Sequence, residues 1–446
     1  MDTFKAGCAA GFSGDRIDGV EPVVKTLIDE GGHALIFETL AERTLALAQL
    51  ARNQDPDAGY EPLLADMLRP CLGDCLRHGI RIVSNFGQAN PPAAARRIRG
   101  LATELGLRAP RIAVLGGDRL DRPEQLDYLR GALPDGIDTG RIVCINAYQG
   151  AQEIADALRA GADIVVAGRV ADPSLVVGPA MAHYGWSADD WPALATATMA
   201  GHLLECGTQV TGGYFAVPGL KDVPDMHRLG FPIAELGRDG GIVIGKARNT
   251  GGRVDAQTVK EQLLYEVHDP AAYLTPDVTA DIGQVRVTPI GPDRVRVDGV
   301  RGHARPATLK ANVFVHGGWL AEAEISYAGL QAEARARLAA DIVRRRLGNT
   351  LRLRVDLIGA LSILADDGGE MLSAHPHGTG RDIRLRMAAA HADRGTAERL
   401  LREMNALYTC GPAGGGGVRT SIKPRLNSIS VLVPRDLAPA SWSFLA

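Results

Sequence analysis

Short apolar runs recur along the first 215 residues, each ending in a turn-like segment and separated from the next by a stretch of helical periodicity. The runs predict strands at Phe4–Ala10, Ala34–Glu38, Ile80–Asn85, Arg111–Leu115, Ile142–Asn146 and Ala162–Val166. Between them, apolar positions at helical spacing predict helices at Val20–Glu30, Glu42–Gln49, Tyr60–His78, Pro91–Leu105 and Ala151–Ala160. Gly79, Gly106 and Gly161 stand where C-terminal caps belong. Strand and helix in alternation predict an α/β fold with a doubly wound, mostly parallel sheet over residues 1–219.

Beyond the Pro/Gly-containing stretch at 211–252 the rhythm changes. Val285–Pro289 and Arg294–Val297 flank a Gly-Pro-Asp turn, and Ala307–Val315 and Leu320–Tyr327 flank His-Gly-Gly, so two antiparallel hairpins are expected. Gln331–Leu347 and Ile383–Leu407 are expected as helices, Leu351–Leu357 and 428–433 as strands. Residues 220–446 are thus expected to form a second, α+β domain carrying a glycine-rich loop.

Charge and composition narrow the function classes. The 446 residues hold 52 acidic and 49 basic side chains, a net charge of −3, which gives no basic surface for nucleic acid. Apolar residues make up 46% and no run approaches the roughly 18 residues that span a bilayer. The amino terminus has no secretory pattern, so a cytoplasmic protein is expected. Cys8, Cys71, Cys75, Cys144, Cys206 and Cys410 are scattered, and they read as buried small hydrophobes.

Candidate chemistry sits at the strand ends, which in a parallel sheet share one edge and face one crevice. The first turn, Gly7-Cys-Ala-Ala-Gly-Phe-Ser-Gly-Asp-Arg16, matches neither a dinucleotide nor a P-loop pattern, so no nicotinamide or nucleotide cofactor is expected. Its Gly11, Ser13, Gly14, Asp15 and Arg16 either hold an anionic ligand or form a tight turn in which Asp15 caps the next helix. Glu38, Asn85, Asp118 and Asn146 follow successive strands, and Arg169 with Asp172 follows the sixth. Arg169 and Asp172 suit either an anion clamp with an adjacent base or an ion pair stiffening the loop. His202 and Glu205 are three residues apart, one face of a helix, and could act as an acid/base couple. No companion His-x-x-His or Cys-x-x-Cys accompanies them, so no metal is expected. In Cys410-Gly-Pro-Ala-Gly-Gly-Gly-Gly-Val-Arg419, Gly414, Gly415 and Gly416 with Arg419 form either a linker or an arch for an anion such as a CoA phosphate.

Gly11-Phe-Ser-Gly-Asp-Arg16, Leu40-Ala-Glu-Arg43 with Asp55-Pro56, Gly168-Arg-Val-Ala-Asp172, Gly201-His-Leu-Leu-Glu-Cys206 with Thr211-Gly-Gly213, Glu261-Gln-Leu-Leu-Tyr-Glu-Val-His-Asp-Pro270 and Gly411-Pro-Ala-Gly-Gly-Gly-Gly417 together resemble the acyclic terpene utilisation protein A family nearly end to end. The resemblance implies a setting among catabolic enzymes of branched acyl-CoA thioesters. Family members often carry a further C-terminal ferredoxin-like domain, absent before Ala446, which implies a small ferredoxin-like partner subunit. A homo-oligomer is also expected.

Three functions compete at this stage. The first is a lyase of the hydratase/dehydratase kind on an acyl-CoA or small carboxylic acid. His202 or Glu205 would move protons, Asp172 or Glu38 would be the alternate base, and Arg169 and Arg16 would hold the anion. The second is a thioester hydrolase or acyl transferase using Ser13 or Cys8, although neither lies in a G-x-S-x-G elbow. The third is a non-catalytic scaffold or ligand-binding subunit.

Overall fold

The computed structural model describes residues 3–446 and has the expected α/β architecture. β1 (Thr3–Cys8), β2 (Ala34–Phe37), β3 (Arg81–Ser84), β4 (Ile112–Gly116) and β6 (Ile164–Val166) lie side by side in parallel, in the order β1-β2-β3-β6-β4. Strand pleating decides which residue faces which core. In β2, Ala34 and Ile36 point into one core with Ile154, Leu175 and Leu203, while Leu35 and Phe37 point into the other with Leu27, Leu68 and Ile98. Helices therefore cover both faces of the sheet, and each fully buried Leu or Ile contributes about 1.5–3 kcal/mol.

The parallel block is extended by antiparallel strands. Pro232–Gly237 pairs with β1 and is followed outward by Ile242–Lys246, Arg294–Asp298 and Arg286–Gly291. Ser441–Phe444, which the hydrophobic pattern does not reveal, pairs with β4 on the opposite edge. Because Pro232–Gly237 completes the first sheet, the expected boundary at 219/220 falls inside one compact unit of residues 1–314 and 428–446. The second unit is residues 315–427.

Four expectations are corrected. The fifth expected strand of the sheet, β5 (Ile142–Ala147), leaves it and pairs with the strand Thr308–Ala328. That strand is itself unbroken, so His316-Gly-Gly is no hairpin turn. Its backbone continues through Gly318 at φ +87°, a conformation glycine allows at no steric cost. Tyr60–His78 is two short helices, Leu64–Leu68 and Leu72–His78. Ile383–Leu407 divides into a strand, Asp382–His391, and a helix, Arg394–Cys410. The strand buries Ile383, Leu385, Met387 and Ala389 while Arg384 and Arg386 reach Glu324 and Glu322 across the sheet, a period of two. Asp393 then caps the helix by accepting from the Thr396 N–H. In this unit Ala332–Leu347 and Arg394–Cys410 pack Ala336, Val343, Leu400 and Met404 on Ile325, Val355 and Leu385.

Candidate active site

Parallel pairing brings the carboxyl ends of β1, β2, β3, β6 and β4 to one edge of the sheet, and their polar residues bind one another there. Glu38 accepts from the Leu40 N–H at 2.8 Å and from Asn85 Nδ2 at 2.7 Å, and Asn85 Oδ1 accepts from the Thr39 N–H at 2.7 Å. Burial, helped by the Asp172 charge, pushes the Glu38 carboxyl up to about 8. Asp118 Oδ2 accepts from the Arg169 N–H at 3.0 Å and from Asn146 Nδ2 at 2.9 Å. Gly168 permits this approach, because a Cβ there would lie 2.8 Å from Asp118 Oδ2 and 2.9 Å from Gln88 O. Burial raises the Asp118 carboxyl as well.

Arg169 joins these knots. Its guanidinium donates from Nε to Val170 O at 2.8 Å and from Nη1 to Leu40 O at 2.7 Å, reaches Asp172 through Nη2, and stacks 4.4 Å from the Tyr148 ring centroid. At 1% exposure the residue has its donors committed to protein acceptors. The ion pair expected from Gly168-Arg-Val-Ala-Asp172 is present, and the arginine holds Asp172 rather than lining open space.

Asp172 and Glu205 do line open space: a cavity of about 1020 Å³ within the larger unit. Glu205 ends the helix Trp191–Glu205, which approaches the Asp172–Pro173 loop closely because Gly201 has no side chain; a Cβ there would lie 2.6 Å from Pro173 O. Glu205 Oε1 is 2.8 Å from His202 Nδ1. His202, 1% exposed, donates or accepts nothing further through Nε2, and Glu205 Oε2 has no hydrogen-bond partner. Burial drives His202 down to about 4, so it is neutral at pH 7. Burial, with the charges of Asp172 and Glu266 added, pushes Glu205 well above the usual carboxylate range. The hydrogen in the pair therefore lies on the carboxyl or on neutral imidazole, and a proton is available at the cavity wall. Burial raises the Asp172 carboxyl and Arg169 pulls it back only in part, whereas Glu205, paired with neutral His202 rather than with a guanidinium, rises further, so Glu205 is the carboxyl that keeps its proton.

A second polar group on the cavity wall carries no mark in the sequence as a catalytic motif. Tyr148 donates to Glu42 Oε1 at 2.5 Å, Asn312 Nδ2 lies 3.1 Å from the Tyr148 oxygen and 3.3 Å from Glu42 Oε1, and Ser430 donates to Asn312 Oδ1 at 2.9 Å. Lys310 Nζ is 3.4 Å from Glu42 Oε1 and 4.7 Å from the Tyr148 ring centroid. Burial acts to raise Glu42, but the Tyr148 hydroxyl, its own backbone N–H, Lys310 and Arg169 outweigh it and hold the carboxyl down at about 2. The only available sequence signals were Glu42 within Leu40-Ala-Glu-Arg43 and the run Glu266-Val-His-Asp269, which also lines the cavity.

The other expected residues stand elsewhere. Gly11 packs on the Cys206–Gly207 backbone, where a Cβ would meet Cys206 C at 2.4 Å. The loop through Ser13 and Gly14 closes on itself: Asp15 accepts from the Gly11 and Arg16 N–H groups, and Arg16 pairs with Asp18 and Leu229 O. None of these lines the cavity, so Arg16 is a turn residue here. Cys8, the candidate nucleophile, is fully buried, its Sγ 3.1 Å from Ala10 O, and burial raises its thiol far from thiolate formation. Gly414, Gly415, Gly416 and Arg419 belong to the other unit, where the glycines turn the chain from the helix Arg394–Cys410 into the strand Gly416–Pro434 and Arg419 is exposed.

Among the described residues no group of three or more His, Cys, Asp or Glu side chains is arranged to hold a metal ion, and no helix is long and apolar enough to cross a membrane. No curated protein and no solved structure matches the chain. A family model described as acyclic terpene utilisation family protein AtuA matches residues 4–444, and the chain belongs to that family.

Proposed function

We propose that this cavity runs hydration or dehydration of an acyl substrate, a branched acyl-CoA or a small carboxylic acid, by proton transfer between two carboxyl groups of opposed character. The observation that carries the proposal is the pairing on one wall of Glu205, buried with Oε2 unpartnered and its pKa raised, with Asp172, kept charged by Arg169. Burial raises both carboxyl groups, but Arg169 limits the rise at Asp172, and two carboxyl groups so separated supply an acid and a base at one pH. In the dehydration direction Asp172 takes the proton from the carbon next to the carbonyl. The electrons of that C–H bond form the double bond, the C–O bond at the neighbouring carbon breaks, and Glu205 gives its proton to the departing hydroxyl as water. Lys310, which lines the cavity, meets the charge that develops on the carbonyl oxygen. His202 fixes the Glu205 carboxyl through Nδ1 and Glu42 holds Lys310 and Tyr148 in place. Solvent then takes the proton from Asp172 and gives one to Glu205, which restores the starting state.

The family resemblance adds a CoA handle, a small ferredoxin-like partner, self-association and a cytoplasmic setting to this proposal. The test is an absorbance assay for the enoyl thioester on a panel of 3-hydroxyacyl and 2-enoyl thioesters and the matching free acids. The wild type is expected to interconvert one such pair, and Glu205→Gln to lose about 10²-fold or more in kcat. No turnover of any pair, with or without a ferredoxin-like subunit, would overturn the proposal.

A further inference from the structure

The cavity that the proposed reaction uses is unevenly charged. Glu42, Asp172, Glu205, Glu266 and Asp269 all line it, against Lys310 as its one lysine, and no arginine lines it among the described residues. The positive charges nearby are already answered: Arg169 faces Leu40 O, Val170 O and Asp172, and Lys310 faces Glu42. Glu205 is uncharged in the working state argued above, and Asp172 and Glu42 are balanced by those cations. What remains are Glu266 and Asp269, both exposed, on the continuous segment that runs through His268 to Pro276 along one wall. Glu266 holds a left-handed backbone at φ +59°, and its charge reaches inward far enough to act on Glu205, Asp172 and His202. Pro276, Pro306, Leu309, Val431 and Leu432 give the rest of the wall an apolar stretch, with Thr275, Thr308 and Ser430 as uncharged polar groups beside it. Such a site has room for a carbon chain and one polar carbonyl, but no unmatched cation for a carboxylate.

We infer that the cavity takes the acyl end of its substrate as an uncharged thioester or amide and rejects a free carboxylate at that end, with Glu266 and Asp269 as the discriminating charges. This rests on the proposed reaction for the choice of cavity and narrows its two substrate classes to one. A carboxylate entering past two like charges loses affinity, and because both are exposed the loss shrinks as salt screens it. An uncharged amide or thioester of the same chain is indifferent to both.

The test measures binding and not turnover, so it is independent of whether the reaction itself has been identified. Hexanamide, hexanoate and hexylammonium, matched in chain length, are titrated against the full chain at pH 7.5 by ligand-observed NMR in low and high salt, with Glu266→Gln/Asp269→Asn beside the wild type. The expected result is hexanamide binding about tenfold or more tighter than hexanoate at low salt, a gap that narrows in high salt and closes several-fold in the double variant. Equal binding of hexanoate, a gap the double variant leaves unmoved, tightest binding of hexylammonium, or no binding of any of the three would overturn the inference. Binding in the expected order together with absent enoyl turnover would leave the inference standing and remove the proposed reaction.

Discussion

Replacing Arg169 by lysine is expected to destabilise the protein rather than merely weaken a ligand. The guanidinium is 1% exposed and serves Val170 O, Leu40 O and Asp172 from three nitrogens, while stacking on Tyr148. A lysine ammonium at the end of a flexible stem can reach Asp172 or one carbonyl, not all of them. Each buried carbonyl left without a donor costs about 1–3 kcal/mol. The lost stacking on Tyr148 adds about 0.5–1 kcal/mol. Asp172 is 34% exposed on its side chain, so its loosened ion pair adds less than about 1 kcal/mol. The total, about 3 kcal/mol, corresponds to a fall of about 3–4 °C in Tm for a chain of this size, at roughly 2.1 cal/mol/K of unfolding entropy per residue. Thermal unfolding followed by circular dichroism reads it directly, with urea unfolding at fixed temperature as a check on the free energy. A variant melting within about 1 °C of wild type while losing acyl-ligand binding would show that Arg169 meets the ligand and does not serve to hold the loop.

Other residues give sharper contrasts. Glu38 has its pKa raised from 4.5 to about 8 by burial, so the folded state keeps a proton that the unfolded chain gives up above pH 4.5. Its contribution is fully present below pH 4.5 and is lost as pH rises to about 8, and at 1.36 kcal/mol per pH unit this interval bounds the effect at about 5 kcal/mol. Glu38→Gln should therefore flatten the fall in Tm between pH 5 and 8 measured by scanning fluorimetry; a parallel fall in both proteins would count against a protonated Glu38. In the glycine run, a methyl at Gly416 meets open space, whereas one at Gly415 lies 3.0 Å from Ile325 Cδ1 and Tyr327 Oη. Gly416→Ala is expected to stabilise by about 0.4–1 kcal/mol in urea unfolding and Gly415→Ala to destabilise; equal effects would show that the turn is a linker with no close neighbours.

Alternation of apolar residues made the sheet and its helices legible in the sequence. Ala34–Phe37 is readable as a continuous apolar run buried on both faces of the sheet, and Val20–Glu30 because Val20, Val23, Val24 and Leu27 recur at helical spacing. The pattern could not show that Ser441–Phe444 pairs with β4 or that β5 leaves the sheet, since both depend on partners more than 160 residues away. Ile383–Leu407 joins two elements because the strand Asp382–His391 runs into the helix Arg394–Cys410 with only Ala392 and Asp393 between them. At the site, Asp172, His202 and Glu205 were legible from local spacing. Glu42, Tyr148, Lys310, Asn312 and Ser430 were not, because they come from separate segments and meet only after the strand Thr308–Ala328 pairs with β5. Arg169 was legible as a partner of Asp172 but not as a buried one, since nothing local tells a guanidinium that grips backbone carbonyls from one that grips a ligand.

The central claim is that Asp172 removes a proton beside an acyl carbonyl while Glu205 supplies one to the departing group. Hydrogen–deuterium exchange at that carbon tests it without knowledge of the natural substrate. Hexanoyl-N-acetylcysteamine in deuterium oxide, followed by proton NMR, should lose its α-proton signal in the presence of wild type. Glu205→Gln should retain the exchange, because the base is intact and no hydroxyl departs, and folded Asp172→Asn should abolish it. Exchange that persists in Asp172→Asn, or is absent from wild type, would contradict the account.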